Sequence, residues 1–161
     1  MDARDVVASF LACWSTQDVE MAIQHDHEDV IYALYISQTA IPWGGETRGK
    51  AQCRDVLYSI LAEFDYLRYE PTIVAIDGDV VRAQVRFVYR HRRTAADLSG
   101  SKRLVFTVKD GFIVRVEEYH DAAMVEAFMR LAAHRVETND LPDPPELPKS
   151  MRPARSPTEG S

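Results

Sequence analysis

The chain has 161 residues, of which 46% are hydrophobic and 27% charged, a balance typical of one globular domain. Its formal net charge of −6 argues against a broad surface for nucleic acid or anionic membrane, because such surfaces need clustered cations. No apolar run approaches the roughly 20 residues that span a bilayer, and the N-terminus lacks the pattern of a signal peptide, so we expect a cytoplasmic protein.

The first part of the chain predicts two helices, a strand, a loop and a third helix. Apolar residues recur at helical spacing over residues 6–14, and a second short helix follows over 18–24. Residues 29–36 are β-branched and aromatic and predict a strand, whereas the Pro- and Gly-rich residues 37–49 predict a loop. The clearest amphipathic helix covers 53–64, where apolar residues fall at i, i+3, i+4, i+7, i+8 and i+11.

The second part predicts an antiparallel meander of four strands and a closing helix. The strands cover residues 72–76, 80–92, 102–109 and 112–120, and the helix covers 122–133. Asp-Gly pairs separate the first strand from the second and the third from the fourth, a strong signal for hairpin turns. Helices and strands are largely segregated, so we predict an α+β fold in which a curved, mostly antiparallel sheet wraps around the N-terminal helices and forms a conical cavity.

The composition changes from about Asn139, because six of the eight prolines lie in residues 142–157. Such a segment cannot bury enough apolar area to offset the entropy of ordering it. We therefore predict one domain over residues 1–136 and a Pro-rich tail over 137–161 that is disordered or loosely docked.

Three stretches carry a family resemblance: the strand end Tyr35-Ile-Ser37 running through its loop to Lys50, the second Asp-Gly hairpin, and the strand end Val116-Glu-Glu-Tyr-His-Asp121. In order and spacing they resemble the SnoaL-like branch of the nuclear transport factor 2-like superfamily, over roughly residues 4–135. The pattern is similar to that of limonene epoxide hydrolase-like and ketosteroid isomerase-like members. The resemblance implies a cone-shaped, cystatin-like roll that commonly forms homodimers. The superfamily includes polyketide cyclases, isomerases and non-enzymatic modules, so the fold does not choose the function.

Alternation along the last strand places the apolar Phe112, Val114 and Val116 on the predicted inner face, which continues to Glu118 and His120. The resemblance also places Glu118 where epoxide hydrolase-like members carry a catalytic Asp. A carboxylate at the end of an apolar face is desolvated, which raises its pKa and suits it to general base catalysis. The alternatives are that Glu118 pairs with an arginine and that His120 is a rim residue.

On the long strand, Phe87, Tyr89 and His91 share the predicted cavity face. Epoxide hydrolase-like members carry Arg-x-Asp near this point, where the chain has Tyr89-x-His91, and this departure argues against epoxide hydrolysis. His91 is a candidate acid, and Tyr89 a candidate donor to a developing oxyanion. His91 could also belong to a solvated strand end.

Four other candidates lie nearer the loops. Tyr35 and Ser37 share a face, and the resemblance implies that they orient water there. Tyr35, like Tyr89, is a candidate donor to a developing oxyanion. Trp43 could roof the cavity. Asp121 stands near an acid that some SnoaL-like cyclases use, although the N-cap of the final helix explains it as well.

No metal site is predicted. His25 and His27 have acidic neighbours, but they lie at a helix-to-strand junction without further ligands at a suitable spacing. Cys13 and Cys53 lie on apolar helical faces and predict buried thiols.

These residues favour a protein that binds a small hydrophobic molecule and catalyses isomerisation, cyclisation or dehydration without a cofactor. In this interpretation the acid–base groups are Glu118, His91, Tyr35 and Asp121. The binding residues would be Trp43, Tyr89, Ser37, His120, Phe87 and Val116. The alternatives are a non-catalytic module for a ligand or a protein partner, and an accessory subunit of a larger enzyme.

Overall fold

The computed structural model describes residues 1–139. Its elements are α1 (Ala3–Ser15), α2 (Val19–Ile23), β1 (Asp26–Leu34), β2 (Gly45–Arg48), α3 (Lys50–Glu63), β3 (Phe64–Asp77), β4 (Val80–His91), β5 (Asp97–Lys109), β6 (Phe112–Tyr119) and α4 (Ala122–Asn139). Helix α4 continues through 137–139, which we predicted as the start of the tail. The prediction for 140–161 lies outside the described residues. Among residues 1–139, no helix is long and apolar enough to cross a membrane.

The six strands form one open sheet in the order β2-β1-β6-β5-β4-β3. Neighbours are antiparallel except β1 and β6, which run parallel because the chain passes through β2, α3 and the meander between them. The predicted α+β class with a curved, mostly antiparallel sheet is confirmed. Strand β2 lies in residues predicted as loop. Its flanking glycines, Gly45 and Gly49, adopt φ angles of 79° and 89°, a region that favours glycine.

Helix α1 crosses the inner face of the sheet. Asp2 caps its N-terminus by accepting a hydrogen bond from the Asp5 backbone N–H. Its apolar stripe is buried and consists of Val6, Val7, Phe10, Leu11 and Trp14. Burying each of these large side chains stabilises the fold by roughly 1.5–3 kcal/mol.

The inner face of the sheet supplies the other half of the core. On β4, alternate residues from Val81 to His91 are buried, as the period-2 pattern predicts. On β6 the pattern breaks: Ile113 is buried and Phe112 is exposed. The prediction that Phe112 and Val114 face inward is therefore wrong. Pairing with β5 shifts between Thr107 and Val108, and the extra residue in β6 reverses the faces before Val116.

Candidate functional site

The main cavity lies between the inner face of the sheet and the helices. Aromatic and aliphatic side chains form most of its wall, among them Phe10, Trp14, Leu57, Phe106, Val116 and Met129. The cavity is small, with a volume of about 70 Å³.

Three charged or titratable side chains meet inside this apolar wall. Lys102 Nζ lies 2.6 Å from Glu118 Oε1, and His120 Nε2 lies 3.2 Å from Glu118 Oε2. Their side chains are only 5%, 6% and 8% exposed in the order Lys102, Glu118, His120. The sheet dictates the meeting: Leu104 on β5 pairs with Glu118 on β6, so Lys102, two residues away on the same face, lies diagonal to Glu118.

The cluster sets the charge of Glu118. Burial by itself would raise the pKa of this carboxyl, but the Lys102 ammonium and the hydrogen bond from His120 outweigh burial and hold the pKa well below its usual range. Lys102 is likewise buried, and Glu118 keeps its pKa above the usual value. The pair is therefore ionic at neutral pH. Our expectation that desolvation raises the pKa of Glu118 is wrong, because the sequence pattern did not reveal Lys102 as its partner.

His120 is the member of the cluster with a free nitrogen. Because Glu118 accepts from Nε2, we assign the proton of neutral His120 to Nε2 and the lone pair to Nδ1. Nδ1 is buried and has no hydrogen-bond partner among residues 1–139. A low-pKa carboxylate such as Glu118 is a weak base, so it is better suited to orient the imidazole than to accept a proton from a ligand.

Tyrosines surround the ammonium group. The Tyr66 ring stacks on Tyr69 and Tyr89, with centroid separations of 5.5 Å and 4.3 Å. Lys102 Nζ lies 5.2 Å from the Tyr69 centroid and 5.9 Å from that of Tyr89, within the range of cation–π attraction. Burial raises the pKa of Tyr69 to about 12 and those of Tyr66 and Tyr89 well above 10. These phenols therefore stay protonated and can donate hydrogen bonds.

Tyr32 and Tyr89 complete the polar edge of the cavity. Burial, and then the nearby Glu118 carboxylate, raises the pKa of Tyr32 well above its usual value. The Tyr89 hydroxyl faces the Tyr66 phenol, yet it has no partner in hydrogen-bonding geometry within the described chain. A buried donor without a partner costs free energy unless a ligand or water satisfies it.

His91 does not line the main cavity. It is buried at the end of β4, where Nε2 contacts Glu63 Oε1 at 2.9 Å and Nδ1 contacts Thr94 Oγ1 at 2.9 Å. The rings of Phe64 and Phe128 lie against it, at centroid distances of 5.5 Å and 6.3 Å. The predicted placement of His91 as the cavity acid is therefore wrong. His91 does lie on the predicted inner face of β4, but this strand extends beyond the cavity. Its last residue, His91, contacts the end of α3 instead.

Tyr35 and Ser37 lie on the outer side. The Tyr35 side chain is 48% exposed and its ring stacks on Tyr119 at 4.7 Å, while the Ser37 hydroxyl bonds to Thr39. Their predicted placement in the cavity is wrong. Alternation along β1 instead directs Tyr32 and Leu34 inward, and Ile36, just after the strand, also lines the cavity.

The other predicted residues divide into wall and cap. Trp43, Tyr89, Val116 and His120 line the cavity. Phe87 lies on the same face but behind the wall, with its ring 4.3 Å from that of Tyr89 and 5.6 Å from that of His120.

Asp121 is exposed outside the cavity. Its Oδ1 accepts a hydrogen bond from the Met124 backbone N–H at 3.2 Å, and its backbone carbonyl accepts from Val125. Asp121 therefore caps α4. Its predicted place among the catalytic groups is wrong, because its side chain lies outside the cavity.

Sequence reasoning missed Lys102, Tyr32, Tyr66 and Tyr69. A signal for Lys102 existed, because it shares the β5 face of Leu104 and Phe106, which are both apolar. A lysine on an otherwise apolar strand face indicates a buried partner of opposite charge. Tyr66 and Tyr69 lie in residues 64–71, for which the sequence predicted no strand.

No cluster of three or more potential metal ligands occurs in the part of the chain that the structure describes. The His25 ring contacts the backbone oxygens of Met21 and Ala22, and the intervening Asp26 points into the core. Both cysteines are free thiols; Cys53 is buried and Cys13 half-buried.

The open conical sheet and the polar cluster inside it define a class of α+β proteins built around an internal pocket. A family model described as the SnoaL-like domain matches residues 7–116, and the chain belongs to this family. A search among curated proteins finds no sequence match.

Several solved structures share the fold. TerC, co-crystallised with polyporic acid, has a TM-score of 0.71 and 18% identity, over 80% of this chain and 98% of TerC. A nuclear transport factor 2-like protein from Burkholderia thailandensis has a TM-score of 0.70 and 21% identity, with the same coverage. A proposed polyketide cyclase from Silicibacter has a TM-score of 0.67 and 14% identity, over 80% of this chain and 93% of its own. At these identities the similarity shows the fold alone.

Proposed function

We propose that the cavity binds a small, mainly hydrophobic molecule that carries carbonyl or hydroxyl oxygens, and that His120 moves a proton on it without a cofactor. One observation carries the proposal: His120 lines the aromatic cavity, its buried Nδ1 has no partner among residues 1–139, and a neighbouring carboxylate fixes its ring. Such a pair is a recurrent arrangement for general acid–base catalysis.

The reaction that fits best begins beside a carbonyl group. His120 Nδ1 accepts a proton from the carbon next to the carbonyl, and the electron pair moves onto the carbonyl oxygen as an enolate. The Tyr89 hydroxyl or the Lys102 ammonium can stabilise that oxygen. Return of the proton to another carbon completes an isomerisation, and its transfer to a departing hydroxyl group releases water. Glu118 acts as a positioning residue for His120.

The relative TerC supplies a first probe for binding. Polyporic acid is a hydroxyquinone with apolar rings and acidic hydroxyl groups, which matches the chemistry of this cavity. We expect it to raise the melting temperature of the full chain, and a substitution that fills the cavity, Val116→Trp, to abolish the shift. A shift unchanged in that variant would place the ligand elsewhere.

Hydrogen–deuterium exchange tests the proton transfer directly. The bicyclic ketone α-tetralone has exchangeable protons beside its carbonyl, and NMR follows their loss in D₂O. We expect the wild-type chain to accelerate this exchange and His120→Gln to lower the acceleration by about 100-fold or more, since general base catalysis contributes roughly 10²–10⁴-fold. Equal acceleration by both proteins would contradict the role of His120.

A non-catalytic ligand-binding module is the second candidate. The contacts of Glu118 favour this second candidate, because both carboxylate oxygens already have a partner in Lys102 or His120. The cavity is also small, which leaves a reacting ligand little room to move. Ligand-induced stabilisation without any accelerated exchange, across ketones that bind, would support this candidate and contradict the enzyme.

We also propose that the protein is a cytoplasmic homodimer that uses the outer face of the sheet. This face exposes Val74 on the edge strand β3, in a shallow groove that it shares with Arg82, Arg103 and Tyr119. An apolar groove bordered by arginines and an aromatic ring has the composition of a protein interface.

A further inference from the structure

The cavity offers a ligand more hydrogen-bond donors than acceptors. Each oxygen of Glu118 already holds a partner, Oε1 the Lys102 ammonium and Oε2 the His120 ring. Three phenols add donors that stay protonated, because burial raises the pKa values of Tyr66, Tyr69 and Tyr89. The Tyr32 hydroxyl is directed at Glu118 instead. The ammonium keeps further N–H groups of its own. A ligand that satisfies this site must therefore bring acceptor oxygens.

The donors are concentrated around a positive charge. The Lys102 ammonium lies between the ring faces of Tyr69 and Tyr89 and is almost fully buried. A charged acceptor there forms a charge-assisted hydrogen bond in surroundings of low polarity, where such bonds are stronger than in water. An anionic oxygen is thus favoured over a neutral one of the same shape.

The balance of charges in the cavity indicates that a proton is taken up when an anionic ligand binds. Lys102 and Glu118 already neutralise each other, so an added anion leaves one uncompensated negative charge in the cavity. His120 can compensate it, because its Nδ1 has no partner in the described part of the chain and can take a proton from solvent. The occupied site then holds two positive and two negative charges, and no net charge is buried.

On the basis of the proposed function, we infer that the cavity binds acidic enols and phenols, including hydroxyquinones, in their anionic form, with the ionised oxygen at Lys102 Nζ. The ligand O–H proton dissociates to solvent before entry, and His120 takes up a proton from solvent on binding. Lys102 is the group that selects the anion.

A matched pair of flat quinones tests this selection. At neutral pH 2-hydroxy-1,4-naphthoquinone is ionised, whereas 2-methoxy-1,4-naphthoquinone has nearly the same shape and no acidic proton. We expect calorimetry on the full chain to show at least about 10-fold tighter binding of the hydroxyquinone, since hydrogen bonds to charged groups contribute roughly 1.5–3 kcal/mol. Titrations in two buffers of different ionisation enthalpy should show proton uptake with the hydroxyquinone, which His120→Gln abolishes.

The variants separate charge recognition from folding. Lys102→Met alone leaves a buried carboxylate unpaired, so the double variant Lys102→Met/Glu118→Gln removes both charges. We expect the double variant to bind both quinones equally and Lys109→Met, an exposed lysine on the same strand, to keep the wild-type preference. Melting temperatures verify that each variant is folded.

Equal affinity of the wild-type chain for the two quinones would overturn the inference. The proposed proton transfer would survive that result if α-tetralone exchange still depended on His120. A hydroxyquinone preference that persists in the double variant would also overturn the inference, because it would remove Lys102 from anion recognition.

Discussion

Lys102 and Glu118 depend on each other for their charged states. Removing the lysine leaves a buried carboxylate without its counter-ion, and such losses cost about 3–5 kcal/mol. We therefore expect Lys102→Met to lower the free energy of unfolding by several kcal/mol in urea denaturation. Lys102→Met/Glu118→Gln should recover at least half of that loss, because it leaves no buried charge. A double variant as unstable as the single one would contradict this coupling.

Asp26 gives the molecule a second buried carboxyl, outside the cavity. Burial, opposed by Lys50, raises the pKa of Asp26 from 3.8 to about 7, and its Oδ1 has no partner in the described chain. The folded state thus holds the proton more tightly than the unfolded state. The resulting stability is fully present below pH 3.8 and is lost as the pH rises through about 7.

Asp26→Asn keeps the shape and removes this ionisation. We expect the variant to be more stable than wild type at pH 8 by about 1–3 kcal/mol, and the difference to shrink towards pH 4. Denaturant unfolding at both pH values measures it, with the exposed Asp55→Asn as the matched control. A difference that does not change with pH would exclude Asp26 as the titrating group.

For single residues, the sequence predicted the buried face correctly where the alternation of a strand is regular. Alternation placed Glu118 and His120 inside, and the structure finds both in the cavity wall. It could not give the direction of the Glu118 pKa, because that direction depends on Lys102 from a neighbouring strand. The role of His120 also depends on the carboxylate that holds its ring, which is a contact in space rather than a pattern in the chain.

Irregular strands explain the errors at the scale of elements. A bulge in β6 reversed the faces before Val116, and only strand pairing reveals it. The family resemblance placed Tyr35, just after β1, in the cavity. Packing instead buries its neighbours Leu34 and Ile36 and leaves Tyr35 exposed. The sequence also predicted β3 only over 72–76. Its first half forms a strand from Phe64 because it pairs with the end of β4.

The contacts of His91 at the end of β4 can be tested for their contribution to stability. His91 connects Glu63 at the end of α3 with Thr94 in the following turn. His91→Gln shortens the polar side chain and breaks at least one of these contacts. We expect a loss of roughly 1–2 kcal/mol in the free energy of unfolding, the typical cost of a buried donor or acceptor left without its partner. A variant as stable as wild type would show that these His91 contacts do not stabilise the fold.

For the whole molecule, the sequence predicted the α+β class and the cone because these follow from element order and segregation. The homodimer stays a prediction. We expect light scattering to give the mass of two chains, and Val74→Arg to shift the protein towards one chain by placing a charge in the outer groove. The control is Met21→Arg, because Met21 is also an exposed apolar residue but lies on α2. A monomeric wild type, or equal effects of both variants, would contradict this interface.

The central claim is that the cavity is a site of proton transfer and that His120, rather than the other buried histidine, moves the proton. The most direct measurement compares α-tetralone exchange catalysed by His120→Gln and by His91→Gln. Both substitutions replace a buried imidazole, but only His120 lines the cavity. We predict a loss of about 100-fold or more for His120→Gln and a rate within about 2-fold of wild type for His91→Gln. Equal losses in both variants, or none in His120→Gln, would contradict the account.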